Sequence, residues 1–311
     1  MNDVNVHQLA VLCAVARHGS FTRAAEELYV GQPAVSQHVA ALERSLGAPL
    51  VYRAGRGVSL TEAGRLAVDY GERILRLTEQ LRAGVNGLKG LMRGRLVLGA
   101  GQTPGDYLLP GLLGEFRRRY PEVSVDLEIA GTRRVVEWLV RHVYDLGFLG
   151  DRIEHPDLEL EPFAEDRVVL FVATGHPLAT RRGMPLEEVT AAGLIVREPG
   201  SATRATGERS LREAGVEPNV AMELGSNESV KQAVLADLGV GMLSAFAVEL
   251  ERAAGRIAVL DVPAFDCRRT LYIARHRTKP LTHAQAAFLA LVRDSFPAKV
   301  GGRAPGGAIA G

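Results

Sequence analysis

Four residues in one short stretch, Gln32, Pro33, Ser36 and Gln37, carry side chains suited to the edges of DNA bases. A glutamine amide can hold adenine through two hydrogen bonds, a serine hydroxyl can bond a base edge or a phosphate, and a proline ring can touch a thymine methyl. Farther on, Arg53 leads into a turn that carries Arg56, and an arginine can enter a narrow minor groove. A second set suits a small anion: Gly101-Gln102-Thr103, Gly200-Ser201-Ala202-Thr203-Arg204 and Ser226-Asn227-Glu228, with Thr132 as a weaker addition. Each follows a short apolar run and opens a helical stretch, where hydroxyls and free N–H groups favour a carboxylate or phosphate. The same residue types also cap helices with no ligand present. Gln102, Thr103, Ser201, Thr203 and Asn227 are expected to face one another. Arg204, one residue past Thr203, either brings a full positive charge to that site or points to solvent.

Catalytic signatures fail one by one. Gly99-Ala100-Gly101 begins like a dinucleotide fingerprint, but Pro104 stands where the third glycine is needed. There is no Gly-x-Ser-x-Gly elbow, phosphate-binding P-loop or His-Glu-x-x-His. Asp151, Glu154, His155 and Asp157 resemble a ligand cluster, but Pro156 interrupts them and they read as a solvated loop. No catalytic residue, metal or cofactor is expected. Two cysteines, Cys13 and Cys267, fit a reducing compartment rather than a disulfide framework.

The elements that would position these residues begin with a small helical head. Leu9, Leu12, Cys13 and Ala16 form the stripe of a first helix ending at Gly19. Thr22 can cap a second helix that carries Ala24, Ala25 and Leu28 inward. After Tyr29-Val30-Gly31, a third helix runs from about Gln32 to Ser45, with Gly31 as cap and Pro33 in its first turn. Val35, Val39, Leu42 and Leu46 are expected inside, leaving Gln32, Pro33, Ser36 and Gln37 outside at its N-terminal end. Leu50–Arg53 and Val58–Leu60 then read as a hairpin tipped by Arg56. This is a winged helix-turn-helix pattern, although any small three-helix unit buries such stripes.

The wording of the head is more specific. Gly19-Ser20-Phe21-Thr22-Arg23-Ala24-Ala25-Glu26-Glu27-Leu28, Gln32-Pro33-Ala34-Val35-Ser36-Gln37-His38-Val39, Leu42-Glu43, Leu46-Gly47 and Leu60-Thr61-Glu62-Ala63-Gly64 closely resemble the LysR-type transcriptional regulators. The match runs without a gap from about residue 5 to residue 70, and the architecture extends it to about 1–296. Gly31 departs from the serine that family members commonly carry, and Gln37 from a frequent arginine. The resemblance implies a DNA-contact set of Thr22, Gln32, Pro33, Ser36, Gln37, Arg53 and Arg56. It also implies a double-stranded operator, a small-molecule effector, self-association as a dimer and usually a tetramer, RNA polymerase as a further partner, and no membrane association. Arg197–Arg204 and Gly225–Glu228 resemble the branch that regulates carbon-fixation or sulfur-assimilation operons, which implies a phosphorylated or otherwise anionic metabolite.

Downstream of the head, Thr61 can cap a long helix. Leu66, Tyr70, Ile74, Leu77, Leu81, Val85, Leu88 and Met92 recur every three or four residues. A helix from Thr61 to Met92 would be roughly 48 Å long, and so narrow a seam calls for a second helix, either a copy of the chain or the chain's own core. From Leu96 onward, short apolar runs alternate with helical stretches, the pattern of parallel sheets covered by helices. Alternation alone allows one continuous sheet, whereas the resemblance implies two lobes like those of type 2 periplasmic binding proteins, with crossovers near 164–167 and 262–268.

The expected organisation is a winged helix-turn-helix over 1–60, a dimerising linker helix over 61–93, an effector domain over 94–297 and a flexible tail over 298–311. Within the effector domain, lobe I takes 94–164 and 268–297, and lobe II takes 165–267. The net charge of +1 divides into +3 on residues 1–93 and −2 on the rest, which permits a nucleic-acid contact without demanding one. No apolar run approaches a membrane span, and Met1–Asn5 has no signal-peptide character, so a cytoplasmic location is expected. The competing reading is a solute-binding protein or ligand-binding enzyme with an accessory helical head.

Overall fold

The computed structural model describes residues 4–54, 57–88 and 94–296. Arg56, Met92 and the expected tail lie outside those residues, as do the side chains of Arg53 and Leu88. The chain forms two compact units, one of residues 1–94 with 141–143, the other of residues 95–140 and 144–311.

In the first unit, α1 (Val6–His18) is capped by Asn5 and stops at Gly19, which takes the left-handed conformation open to glycine. Helix α2 (Phe21–Glu27) is capped by Ser20, not by Thr22. The chain is still extended at Ser20, so its hydroxyl can accept the Arg23 N–H, whereas Thr22 is already inside the first turn and exposed. Helix α3 (Gln32–Leu46) starts at Gly31 with Pro33 in its first turn. Val35, Val39 and Leu42 are buried against Leu9, Leu12, Val15, Ala24 and Ala25. Leu46, expected inside, is exposed, because it is the last helical residue before Gly47 turns the chain away.

Strands β1 (Val51–Ala54) and β2 (Gly57–Leu60) pair antiparallel, with Val51 opposite Leu60. The Thr61 hydroxyl accepts the Gly64 N–H at 2.9 Å, which caps α4 (Glu62–Leu88). A Cβ at Gly64 would lie 1.9 Å from the Leu50 carbonyl oxygen, so this close approach admits only glycine. Ala63, Ala67, Val68 and Ile74 pack on the head's core.

The second unit is a nine-stranded sheet with helices on its faces. Its strands are β3 (Gly94–Ala100), β4 (Val123–Ile129), β5 (Leu146–Leu149), β6 (Leu158–Ala173), β7 (Leu194–Arg197), β8 (Val220–Leu224), β9 (Val240–Ser244), β10 (Ile257–Val259) and β11 (Cys267–His276). They lie in the order β4-β3-β5-β11-β6-β9-β7-β8, with β10 also on β6. The βαβ parts are parallel as expected: β3 beside β5, and β7 between β8 and β9. The centre is not. β6 and β11 run antiparallel to each other, and each pairs antiparallel with the strand on its outer side. The crossover expected near 164–167 therefore falls inside β6, and the one near 262–268 leads straight into β11. Two continuous strands, rather than loops, join the lobes. Their register shifts where Leu271 faces Ala164 and Tyr272 faces Pro162, leaving Phe163 as a bulge beside a proline that has no N–H to donate.

Helices α5 (Leu109–Arg119), α6 (Thr132–Val140) and α11 (His283–Ser295) belong to lobe I, whose core is a ring cluster of Phe116, Phe148, Phe163 and Phe288. Lobe II adds α7 (Leu186–Ala191), α8 (Ala202–Glu213), α9 (Asn227–Leu235) and α10 (Ala245–Ala253), with one apolar cluster around Val168, Leu170 and Met242 and another around Phe171, Ile195 and Val234. Helices α7 and α10, strand β10 and a π-helical turn at Pro104–Leu108 were not expected from the sequence. Three of these, α7, β10 and the π-helical turn, are short, and α10 follows β9 with no loop, Ser244 serving as its cap.

Candidate functional site

In the head, Gln32, Pro33 and Gln37 are exposed on the first turns of α3, and Ser36 beside them is half-buried. The inward residues of α3 anchor it, so the outward set is presented on a rigid helix rather than a loop. Thr22 is exposed on α2. On α4, Leu66, Tyr70, Leu77, Leu81 and Val85 remain 45–68% exposed, so none of the described residues covers this apolar stripe. Ile74 differs from them in that it is half-buried against the head's own core.

In the second unit, one cleft of about 250 Å³ is lined by Gln102, Thr103, Thr132, Ser201 and Thr203, which the sequence had singled out. Gln102 and Thr103 lie just past β3, Thr132 opens α6, and Ser201 and Thr203 open α8, so both lobes contribute. The lobes touch at the cleft floor, where the Thr103 and Thr203 hydroxyl oxygens are 3.4 Å apart. Ser201 also caps α8 by accepting the Arg204 N–H, so part of its capacity is structural.

Two expected members stand elsewhere. Asn227 does not line the cleft; it is buried behind it, where its Oδ1 accepts from Arg197 Nη1 at 2.7 Å. Arg204 does not face the cleft either. Its Nε donates to Glu208 Oε1 at 2.6 Å, its Nη2 to Glu223 Oε1 at 2.7 Å and its Nη1 to the Arg197 carbonyl at 2.9 Å. Neighbouring residues on a helix point about 100° apart, so an inward Thr203 sends Arg204 sideways along lobe II. There the Glu223 carboxylate holds the guanidinium more firmly protonated than usual.

The charge in the cleft comes from residues that sequence reasoning missed, Arg269 and Arg197. Arg269, on β11, has a side chain only 3% exposed. Its Nε donates to Asp166 Oδ2 at 2.8 Å and its Nη2 to Thr103 Oγ1 at 3.2 Å. Asp166 on β6 also accepts from Ser244 Oγ at 2.7 Å. Arg269 Nη1 is buried and has no hydrogen-bond partner among the described residues. It lies near Gly150, another cleft residue, where an added Cβ would come within 3.4 Å of it. A buried guanidinium donor left unsatisfied is costly unless something in the cleft accepts from it. Arg197, at the end of β7, is fully engaged: Nε and Nη2 donate to the two oxygens of Glu198 at 2.7 and 2.6 Å. Asp106, in the π-helical turn, accepts from Gln102 and feels Arg197; burial raises its carboxyl above the usual range.

The signal for Arg269 lay in the two-residue period. Cys267, Arg269, Leu271 and Ile273 are all buried on one face of β11, as are Asp166, Val168, Leu170 and Val172 on β6.

Comparison with known proteins matches residues 6–65 to the bacterial regulatory helix-turn-helix protein, lysR family, and residues 89–297 to the LysR substrate binding domain. The chain is 39% identical to the HTH-type transcriptional activator CmpR of Synechocystis sp. over 93% of its length and 95% of that protein. It is 36% identical to the RuBisCO operon transcriptional regulator of Allochromatium vinosum over 92% of its length and 94% of that protein. Among solved structures it resembles the Synechocystis PCC6803 CcmR regulatory domain in complex with 2-PG, with 30% identity and a TM-score of 0.61 over 66% of this chain and 98% of that one. These relatives are regulators rather than enzymes, and no helix among the described residues is long and apolar enough to cross a membrane. The chain belongs to the LysR-type family of transcriptional regulators.

Proposed function

We propose that this regulator is cytoplasmic, that Gln32, Ser36 and Gln37 read bases in its operator, and that a small anionic metabolite in the two-lobed cleft controls it. The observation that carries the effector reading is Arg269 Nη1, a buried, unpartnered, positively charged donor at the cleft wall. At about 250 Å³ the cleft lies just below the usual size of ligand pockets and suits a small ligand. Neutral donors surround it at Gln102, Thr103, Thr132, Ser201 and Thr203. The CcmR relative's complex with 2-PG supports the anionic reading, and likeness to RuBisCO operon regulators supports a role in carbon-fixation operons. The exposed α4 stripe supports pairing of two chains, and the same domain division is proposed: head to residue 60, linker to 93, effector lobes meeting along β6 and β11.

The mechanism is linkage. An anion that binds the closed lobes better than the open ones shifts the oligomer toward one arrangement and so changes how paired heads sit on DNA. The test is fluorescence anisotropy on DNA flanking its own coding sequence, with and without 2-PG. Gln37→Ala should change base preference at one position by about 1–3 kcal/mol, and 2-PG should alter the wild-type binding curve. Unchanged base preference refutes the recognition role of Gln37, and indifference to every anionic metabolite refutes the effector reading.

A further inference from the structure

Glu198 lines the same cleft as the unpartnered Arg269 nitrogen, yet it is itself an anion. Its two oxygens accept from Nε and Nη2 of Arg197, the fork-to-fork geometry by which a guanidinium binds a ligand carboxylate. The two partners are unequal. The Arg197 side chain is 6% exposed and held from behind by Asn227, while the Glu198 side chain is 43% exposed. Glu198 lies just beyond the end of β7, so it can swing away without disturbing a strand, whereas Arg197 cannot easily move.

We propose that Glu198 is a tethered internal anion that occupies the binding fork of Arg197 and that an effector's anionic group displaces it. This deepens the reading of the cleft as an anion site and rests on that reading. In this arrangement the cleft offers two guanidinium subsites of different kinds. Arg269 Nη1 has no partner that must be displaced, whereas Arg197 becomes available only when Glu198 leaves. A ligand with one small anionic group satisfies Arg269 and leaves the Glu198 pair intact. A ligand whose charge reaches both arginines must evict Glu198, and the eviction turns binding into a local rearrangement at the start of the loop leading to α8. Glu198 thereby sets the concentration at which the protein responds and weakens capture of anions that cannot compete for Arg197.

The test is titration calorimetry on the full chain with inorganic phosphate and with 2-PG as separate probes. Glu198→Gln keeps the shape and removes the charge. Freed from displacing a half-exposed ion pair, the variant should bind at least one probe about fivefold more tightly than wild type. Glu223→Gln removes a carboxylate that pairs with Arg204 rather than with the cleft, and it should leave affinity unchanged. In an Arg197→Met background, Glu198→Gln should give no gain, with circular dichroism confirming that both proteins are folded. Equal or weaker binding by Glu198→Gln overturns the proposal. So does an equal gain from Glu223→Gln, or a gain that survives without Arg197. If a probe binds wild type and is lost in Arg269→Met while Glu198→Gln changes nothing, only the tethered-anion proposal falls. If neither probe binds wild type or Glu198→Gln, the anion reading of the cleft falls with it.

Discussion

The pair formed by Asp166 and Arg269 joins the two long strands at the centre of the sheet, and its removal has a calculable cost. Asp166 is fully buried, Arg269 is 3% exposed, and Arg269 Nη2 lies 2.7 Å from Asp166 Oδ2. Replacing one partner leaves the other as an uncompensated charge in the interior, a loss of about 3–5 kcal/mol. Asp166→Asn and Arg269→Met should each destabilise the second unit by that amount. The double variant leaves no charge stranded, so its cost should fall at least about 2 kcal/mol short of the sum. The assay is urea unfolding followed by tryptophan fluorescence. Trp138 is the only tryptophan and sits on α6, so the signal reports this unit rather than the head. Single-variant losses below about 1 kcal/mol, as for a surface pair, would refute the burial argument, as would strict additivity. The same cycle bears on function, because Asp166→Asn leaves Arg269 with fewer acceptors and should raise the benefit of an added anion.

Thr203→Val keeps the shape of a buried cleft residue but removes its hydroxyl. It should weaken effector binding by about 0.5–3 kcal/mol without changing effector-free operator binding, measured by calorimetry and anisotropy; equal effector affinity would return Thr203 to a purely structural role. Leu77→Glu with Leu81→Glu places like charges in the exposed α4 stripe. Sedimentation should show monomers that no longer bind the operator, and a fully oligomeric double variant would refute pairing through that stripe. In the head, the hydrogen bond from His18, with help from Arg17, holds the Glu27 carboxyl below the ordinary glutamate range. A depressed acid contributes stability above its unfolded pKa and loses it as pH falls through the folded value. Hydrogen exchange of α1 and α2 should therefore accelerate below about pH 4.5 in wild type and show a smaller acid response in Glu27→Gln.

The head was legible because its burial pattern and its punctuation agree. Val35, Val39 and Leu42 repeat at helical spacing, and Gly31 with Pro33 marks the start of α3 within one residue. Caps were less legible, since Ser20 and Thr22 are both good capping residues and only the extended backbone at Ser20 decides between them. In the second unit, parallel strands came through as compact apolar runs, but the long central pair did not. The first half of β6, Leu158–Asp166, is rich in acidic residues and contains Pro162, so it reads as loop until its partner strand is known. The same blindness hid the charged residues of the cleft. Arg197 and Arg269 sit at the margins of apolar runs, and an arginine in a sequence suggests surface until the alternation of its neighbours is followed through. Hydroxyls beside helix starts were found because their chemistry is local. Arg204 was misplaced because adjacency in sequence is not adjacency on a helix.

The function proposed for the cleft makes Arg269 its anion-holding residue. Titration of 2-PG and other small anionic metabolites into wild type and Arg269→Met, both shown to be folded, tests it in one experiment. The expected result is one binding site per chain in wild type and loss of that binding in the variant. Retention of full affinity by Arg269→Met, or no binding of any anion to wild type, would contradict it.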